Sequence, residues 1–223
     1  MRKSLFGLIG TTAALCIIPT AFATTVTPAG EHFSAALTTG TSATFKLGTS
    51  TTVTCTNSTT SGSVPASPAN SNAGGPVSET ITNPVFNDGG TTPCKGTIAG
   101  INVNAPLSTN STNGPWSITL NGTGPTAVAT LTIPKAGAST TVSLLGVNCT
   151  ALIAPNGPAS VTGSWTNGVS GGKPKLVFTS QSIPVLTGGG GLCPSGTTIT
   201  FSASFDVTDT TSSPPTQITV TAP

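Results

Sequence analysis

The sequence predicts an all-β fold of Ig-like sandwich architecture, and three observations carry that expectation. Apolar residues alternate with Thr, Ser and Asp over short runs, as in half-buried strands. The cleanest run is Ile199-Thr-Phe201-Ser-Ala203-Ser-Phe205-Asp-Val207. The chain holds 27 glycines and 19 prolines, which break such runs into short pieces. No stretch beyond residue 23 shows helical periodicity with caps. Many short strands between Gly and Pro turns indicate a sandwich or a barrel. Two halves, 24–125 and 126–223, form either two small sandwiches or one large interleaved one.

Taken in order, the chain opens on basic Met1-Arg2-Lys3, an apolar run from Leu5 to Ile18, then Pro19 and Ala21-Phe22-Ala23. Small residues at 21 and 23 mark a signal-peptidase site, so residues 1–23 are expected to be a signal peptide cut before Thr24. Cys16 belongs to that segment; Leu15 stands where a lipobox needs a small residue. Thr24 to Gly30 reads as an opening strand, followed by Phe33–Leu37, Ala43–Leu47 and Thr51–Cys55. Thr59 to Pro76 turns to Ser, Pro, Asn and Gly and reads as a long loop. Strand pattern resumes at Ile81–Phe86 and Ile98–Val103. A polar stretch, Leu107 to Gly114, precedes the alternation of Trp116-Ser-Ile118-Thr-Leu120. Ala127–Ile133 opens the second half and Pro134-Lys-Ala-Gly137 turns it.

The stretch from Thr140 to Val207 reads as the organising unit. A strand-like run, Val147 to Ile153, surrounds Cys149, and a second run, Val161 to Trp165, ends at the tryptophan. A turn-rich gap leads to Cys193, and the alternating Ile199–Val207 strand closes the unit. Near Leu145-Gly146 the alternation changes parity, which reads as a β-bulge. Ile218 and Val220 form a last strand. Thr52-Val-Thr-Cys55-Thr in the first half parallels Val147-Asn-Cys149-Thr in the second, as an old duplication would leave it.

Without the leader, four cysteines remain: Cys55, Cys94, Cys149 and Cys193. An even number in an exported chain points to two disulfides. Three pairings are open. Cys55–Cys94 with Cys149–Cys193 is favoured, because each encloses a similar span with a similar order of motifs. Arg2 and Lys3 leave with the leader, so five lysines face five carboxylates and the mature net charge is zero. Scattered lysines (Lys46, Lys95, Lys135, Lys173, Lys175) without arginine argue against a nucleic-acid footprint and against steering to anionic membranes. A neutral Thr/Ser/Asn/Gly surface resists self-association poorly.

Catalytic equipment is sparse. His32 would be the sole base for a nucleophilic triad, and no Gly-x-Ser-x-Gly elbow is present. The five carboxylates are Glu31, Glu79, Asp88, Asp206 and Asp209, and nothing in the sequence selects a glycosidase pair among them. Asp206 and Asp209, at the end of the best strand, could hold calcium with backbone carbonyls or simply cap a turn. Trp116 and Trp165 could offer sugar platforms; in a chain with so few large aromatics they are expected in the core. Asn57, Asn110, Asn121 and Asn148 stand in Asn-x-Ser/Thr sequons. No cofactor is expected.

Cys149, Trp165 and Cys193 follow the order of the Ig pattern, a tryptophan packed on an inter-sheet disulfide, without its tyrosine corner. The segments Thr25-Val-Thr-Pro-Ala-Gly30, Val53-Thr-Cys55, Gly114-Pro-Trp116 and Gly157-Pro-Ala-Ser-Val-Thr-Gly-Ser-Trp165 resemble exported bacterial proteins of unknown function, common in actinobacteria. The first half is also similar to PraB-type exported proteins linked to alkane oxidation. The shared motifs are structural and carry no activity. The expectation is a secreted, non-enzymatic protein at the cell surface or envelope, with no membrane span after leader removal. It would act in adhesion, envelope structure or binding of a protein or glycan. The alternatives are an exported carbohydrate- or apolar-ligand-binding module using Trp116 or Trp165, and a secreted hydrolase.

Overall fold

A computed structural model describes residues 23–122, 126–169 and 171–222. The expected leader lies outside the described residues except for Ala23. The described chain is all-β. Its first strands are β1 (Thr24–Thr27), β2 (His32–Leu37), β3 (Ala43–Leu47), β4 (Thr51–Cys55), β5 (Asn57–Ser63) and β6 (Ser71–Asn72). β7 (Val77–Ile81), β8 (Val85–Asn87), β9 (Cys94–Ile98), β10 (Ile101–Ala105), β11 (Leu107–Thr109) and β12 (Trp116–Gly122) follow. The remainder are β13 (Thr126–Ile133), β14 (Ala138–Leu144), β15 (Val147–Ile153), β16 (Ala159–Thr166), β17 (Lys175–Gly188), β18 (Thr198–Asp209) and β19 (Thr219–Thr221). Among the described residues no helix is long and apolar enough to cross a membrane.

Eight strands close a barrel in the order β18-β2-β5-β7-β12-β13-β16-β17, with β17 pairing back to β18. The all-β class therefore stands, but these pairings build a closed barrel and do not give the two layers of an Ig-like sandwich. Four barrel strands precede residue 125 and four follow it. Alternation fills the interior: β18 points Ile199, Phe201, Ala203, Phe205 and Val207 inward, each less than a tenth exposed. Phe201 packs against Phe45, Phe86 and Phe178, with ring centroids 5.0, 6.4 and 5.8 Å away. Gly163 on β16 leaves room for the Phe178 ring and the Val177 carbonyl, which a Cβ there would strike.

β17 and β18 are longer than the barrel needs, and both run on into a second curved sheet. Over Thr200–Ser202, β18 gives its edge to β3, which continues through β4 and β9 to β10. Past a register shift between Phe178 and Gln181, with Ser180 at φ 50°, β17 reaches β15, then β14 and β11. β10 and β14 lie side by side without backbone pairing. A separate apolar cluster of Ile98, Ala105, Val142, Leu144 and Cys149 joins them. A third, three-stranded sheet, β19-β1-β6, ties the two ends of the described chain together and packs on β12 and β7. Asn167 clamps its edge: the side-chain amide donates to the Val220 carbonyl and accepts from the Val220 N–H, both at 2.8 Å.

Several expectations are corrected. The parity change at Leu145-Gly146 is a two-residue hairpin turn: Leu144 pairs with Val147, and the turn residues have φ 51° and 82°. Positive φ at both central positions is the type I′ requirement. Ala99-Gly100 makes the same turn inside the segment expected to be one strand, Ile98–Val103. The expected long loop from Thr59 to Pro76 contains most of β5 and all of β6. The turn-rich gap before Cys193 holds β17, the longest strand. Trp165 lies in the large core and Cys149 in the small cluster, so the Ig arrangement of tryptophan on disulfide is absent.

Candidate functional site

Inside the barrel the chemistry centres on β7, which reads Val77-Ser-Glu-Thr-Ile81. Alternation sends Ser78 and Thr80 outward and Val77, Glu79 and Ile81 inward, at 2, 4 and 7% exposure. A carboxyl thus occupies a core position. Its Oε1 is fully buried and has no hydrogen-bond partner. Burial pushes the Glu79 carboxyl from an ordinary 4.5 up to about 8. It is therefore held as the neutral acid near pH 7, because an apolar surrounding penalises the charged form. Glu79 faces a cavity of about 40 Å³ lined by apolar side chains, among them Phe33, Phe86, Leu120 and Trp165. A second cavity of about 70 Å³ lies within the other curved sheet, between Leu47, Val53, Ile98, Val142 and Val185. There the Thr51 and Thr140 hydroxyls are buried without partners.

On the outside, β4, β9 and β10 carry a polar groove of about 480 Å³. Register builds it in two rows. Thr52, Thr97 and Asn102 stand opposite one another across the three strands, as do Thr54, Lys95 and Asn104. Lys95 Nζ donates to Asn104 Oδ1 at 3.1 Å, and Thr97 Oγ1 to Asn102 Oδ1 at 3.3 Å. The rows continue through Lys46 and Thr44 on β3 to Thr200 and Ser202 on β18. Across five strands at about 4.8 Å each the face is roughly 19 Å wide. It offers hydroxyls, amides and two ammonium groups and no carboxylate. The residues between, Phe45, Val53 and Val103, point the other way and anchor the face in the core.

No protein-family model, curated protein or solved structure matches this chain.

The residues singled out from sequence have these places. The disulfides are Cys55–Cys94 and Cys149–Cys193, the favoured pairing. Trp116 and Trp165 are each 3% exposed, so neither presents a platform to solvent. Their indole N–H groups are satisfied at 2.9 Å, by the Asn110 carbonyl and by Asn167 Oδ1. Native tryptophan emission is accordingly expected to be blue-shifted and poorly quenched by acrylamide, reddening only on unfolding; ready quenching of the folded protein would contradict the burial.

Asp206 and Asp209 are three apart on β18 and point to opposite faces, so the strand does not bring them together. Burial works to raise the Asp206 pKa, but hydrogen bonds from Lys175 at 2.7 Å and Thr38 at 2.8 Å hold it below its ordinary value. The Thr216 hydroxyl and the backbone N–H groups of Thr211 and Thr216 keep Asp209 well below the usual carboxylate range. Asp209 is thus the cap of the turn after β18. His32 is exposed at the start of β2. Among the described residues no group of three or more His, Cys, Asp or Glu is gathered around a metal-sized space.

Sequence reasoning missed Glu79 as a site. The signal was present in its spacing: a carboxylate two residues from both Val77 and Ile81, in phase with the apolar side of a strand.

Proposed function

We propose that this is an exported, non-enzymatic cell-surface protein that binds a hydroxyl-rich polysaccharide through the outer face of β3, β4, β9 and β10. The groove of about 480 Å³ carries the reading. It has the size of a ligand site, and its two rows carry hydrogen-bond donors and acceptors at strand spacing. Lys46 and Lys95 favour polymers that bear acid groups. The two disulfides suit an oxidising compartment outside the cytoplasm. Among the described residues one carboxyl, Glu79, lines the barrel cavity, whereas glycoside hydrolysis uses two carboxyls flanking an open cleft.

The test is titration of neutral and uronate-containing polysaccharides against the wild type and a Lys95→Ala, Asn102→Ala, Asn104→Ala variant. These side chains face solvent, so stability should stay within about 0.5 kcal/mol per position. Binding should weaken at least about tenfold, since each lost hydrogen bond contributes roughly 1 kcal/mol. Unchanged binding would place the surface elsewhere. Turnover of any glycan that vanished with Glu79→Gln would make the protein an enzyme and end the proposal.

A further inference from the structure

The Glu79 cavity has properties that a packing defect would not share. Among the described residues Glu79 is the single titratable side chain lining it, and no lysine, arginine or histidine joins it. Six rings face the same space: Phe33, Phe86, Phe178, Phe201, Phe205 and Trp165. Ring faces carry partial negative charge and attract cations. The unpartnered Oε1 needs a donor. A hydrocarbon would leave it unpaired, and an anion would meet a carboxyl among aromatic rings with no cation beside them. About 40 Å³ is available. One water needs roughly 10–15 Å³ of such space, so about three non-hydrogen atoms fit.

We propose that the barrel interior at Glu79 binds a small primary ammonium ion of one or two carbons. Its N–H groups donate to the Glu79 carboxylate and its alkyl end rests on the rings. The site is independent of the outer groove. The barrel wall is sparsely paired along β7. From Val77 to Thr80 that strand pairs with β12 alone, and β5 meets it at one residue pair, Gly62 with Ile81. The β19-β1-β6 sheet packs on β7, and Ile218, next to β19, reaches the cavity wall.

The protons balance simply. The ammonium ion arrives with its own proton, while the buried Glu79 carboxyl is by itself the neutral acid near pH 7. Pairing requires the carboxylate, so the Glu79 proton passes to solvent. The other titratable groups nearby do not line the cavity: β1, β5 and β12 carry none, His32 on β2 is exposed, Asp206 on β18 is turned outward to Lys175, and Asp209, on the inward side of β18, is bonded to Thr211 and Thr216 in the turn that follows.

Methylammonium chloride titrated calorimetrically into the folded protein, in two buffers of different ionisation enthalpy, tests this. Expected are a dissociation constant of about 10–100 mM at pH 7, because two non-hydrogen atoms set a ceiling of about 6 mM and ionising Glu79 weakens binding about a further tenfold, and release of close to one proton. Affinity should tighten about tenfold from pH 6 to pH 7, following the ionised fraction of Glu79. Methanol and acetate should not compete. Glu79→Gln should fold, bind at least about tenfold more weakly and lose the pH dependence. Absence of saturable binding, buffer-independent heats in the wild type, or equal binding by Glu79→Gln would each overturn the proposal.

Discussion

Replacing Glu79 with methionine is expected to stabilise the protein by about 3 kcal/mol at pH 7, because it removes a carboxyl that folding must keep protonated. The native carboxyl is pushed up to about 8, against 4.5 when exposed. Between these values the native state holds a proton that the unfolded chain has released, so stability falls as pH rises. The full contribution is present below pH 4.5. Each unit above that removes about 1.4 kcal/mol, reaching about 5 kcal/mol by pH 8. Asp206 and Asp209 act in the opposite sense. Their native pKa values are lowered, so their contributions are lost as pH falls below the ordinary carboxylate range. The wild type should therefore be most stable near pH 4–5. Glu79→Met should flatten the profile above that range and raise Tm at pH 7 by roughly 6–12 °C. Urea unfolding from pH 4 to pH 9 measures both. A wild-type profile flat between pH 5 and pH 8, or a less stable methionine variant, would show that the carboxyl is solvated.

The strands that could be read directly are those whose alternation survives intact. β3 and β4 match their expected limits, and β13, β15 and β18 match within two residues, because each has one apolar side and no interruption. β17 was hidden by its own construction. Its bulge after Phe178 shifts the parity from Leu176 and Phe178 to Ile183 and Val185, and Pro184 stands inside the run. Proline in an apparent strand argues against one, yet Pro184 pairs with Thr198 near the end of the ladder. β5 was hidden by composition. Its inward residues include Ser58 and Gly62, and a Cβ on Gly62 would strike the Phe33 ring. Large rings on neighbouring strands fill the space that β5 leaves, so the strand itself carries no apolar signature. The two hairpin turns were missed because Ala99 and Leu145 adopt positive φ in place of the usual Asn or Asp. Barrel closure rests on pairings such as Leu37 with Phe205, which no local pattern reveals. The outer groove was equally invisible, since Thr52, Lys95 and Asn104 become neighbours only through register.

The second large effect concerns the disulfides, which are expected to differ in kind although they close loops of similar length. Their separations of 39 and 44 residues each correspond to about 4 kcal/mol on the loop-entropy account. The surroundings separate them. Cys55 and Cys94 are both 0% exposed and join the ends of β4 and β9 within the large core. Cys55→Ala with Cys94→Ala should lose that loop term and also buried sulfur packing, for roughly 5–6 kcal/mol in all. Unfolding should remain a single transition at a lower urea midpoint. Cys149 belongs to the small cluster behind the unpaired β10/β14 edge, and Cys193 is half-buried at the end of a glycine-rich loop. Cys149→Ala with Cys193→Ala should cost about 4 kcal/mol and act locally. Amide exchange should rise in β10, β14 and β15, where no ladder joins β10 to β14, while the barrel strands keep their protection. Limited reductant should open Cys149–Cys193 first, since thiolate attack needs access to a sulfur. Equal exchange across all strands in both variants would mean that the two curved sheets unfold as one unit, and the β10/β14 edge would then be no weaker than a hydrogen-bonded one.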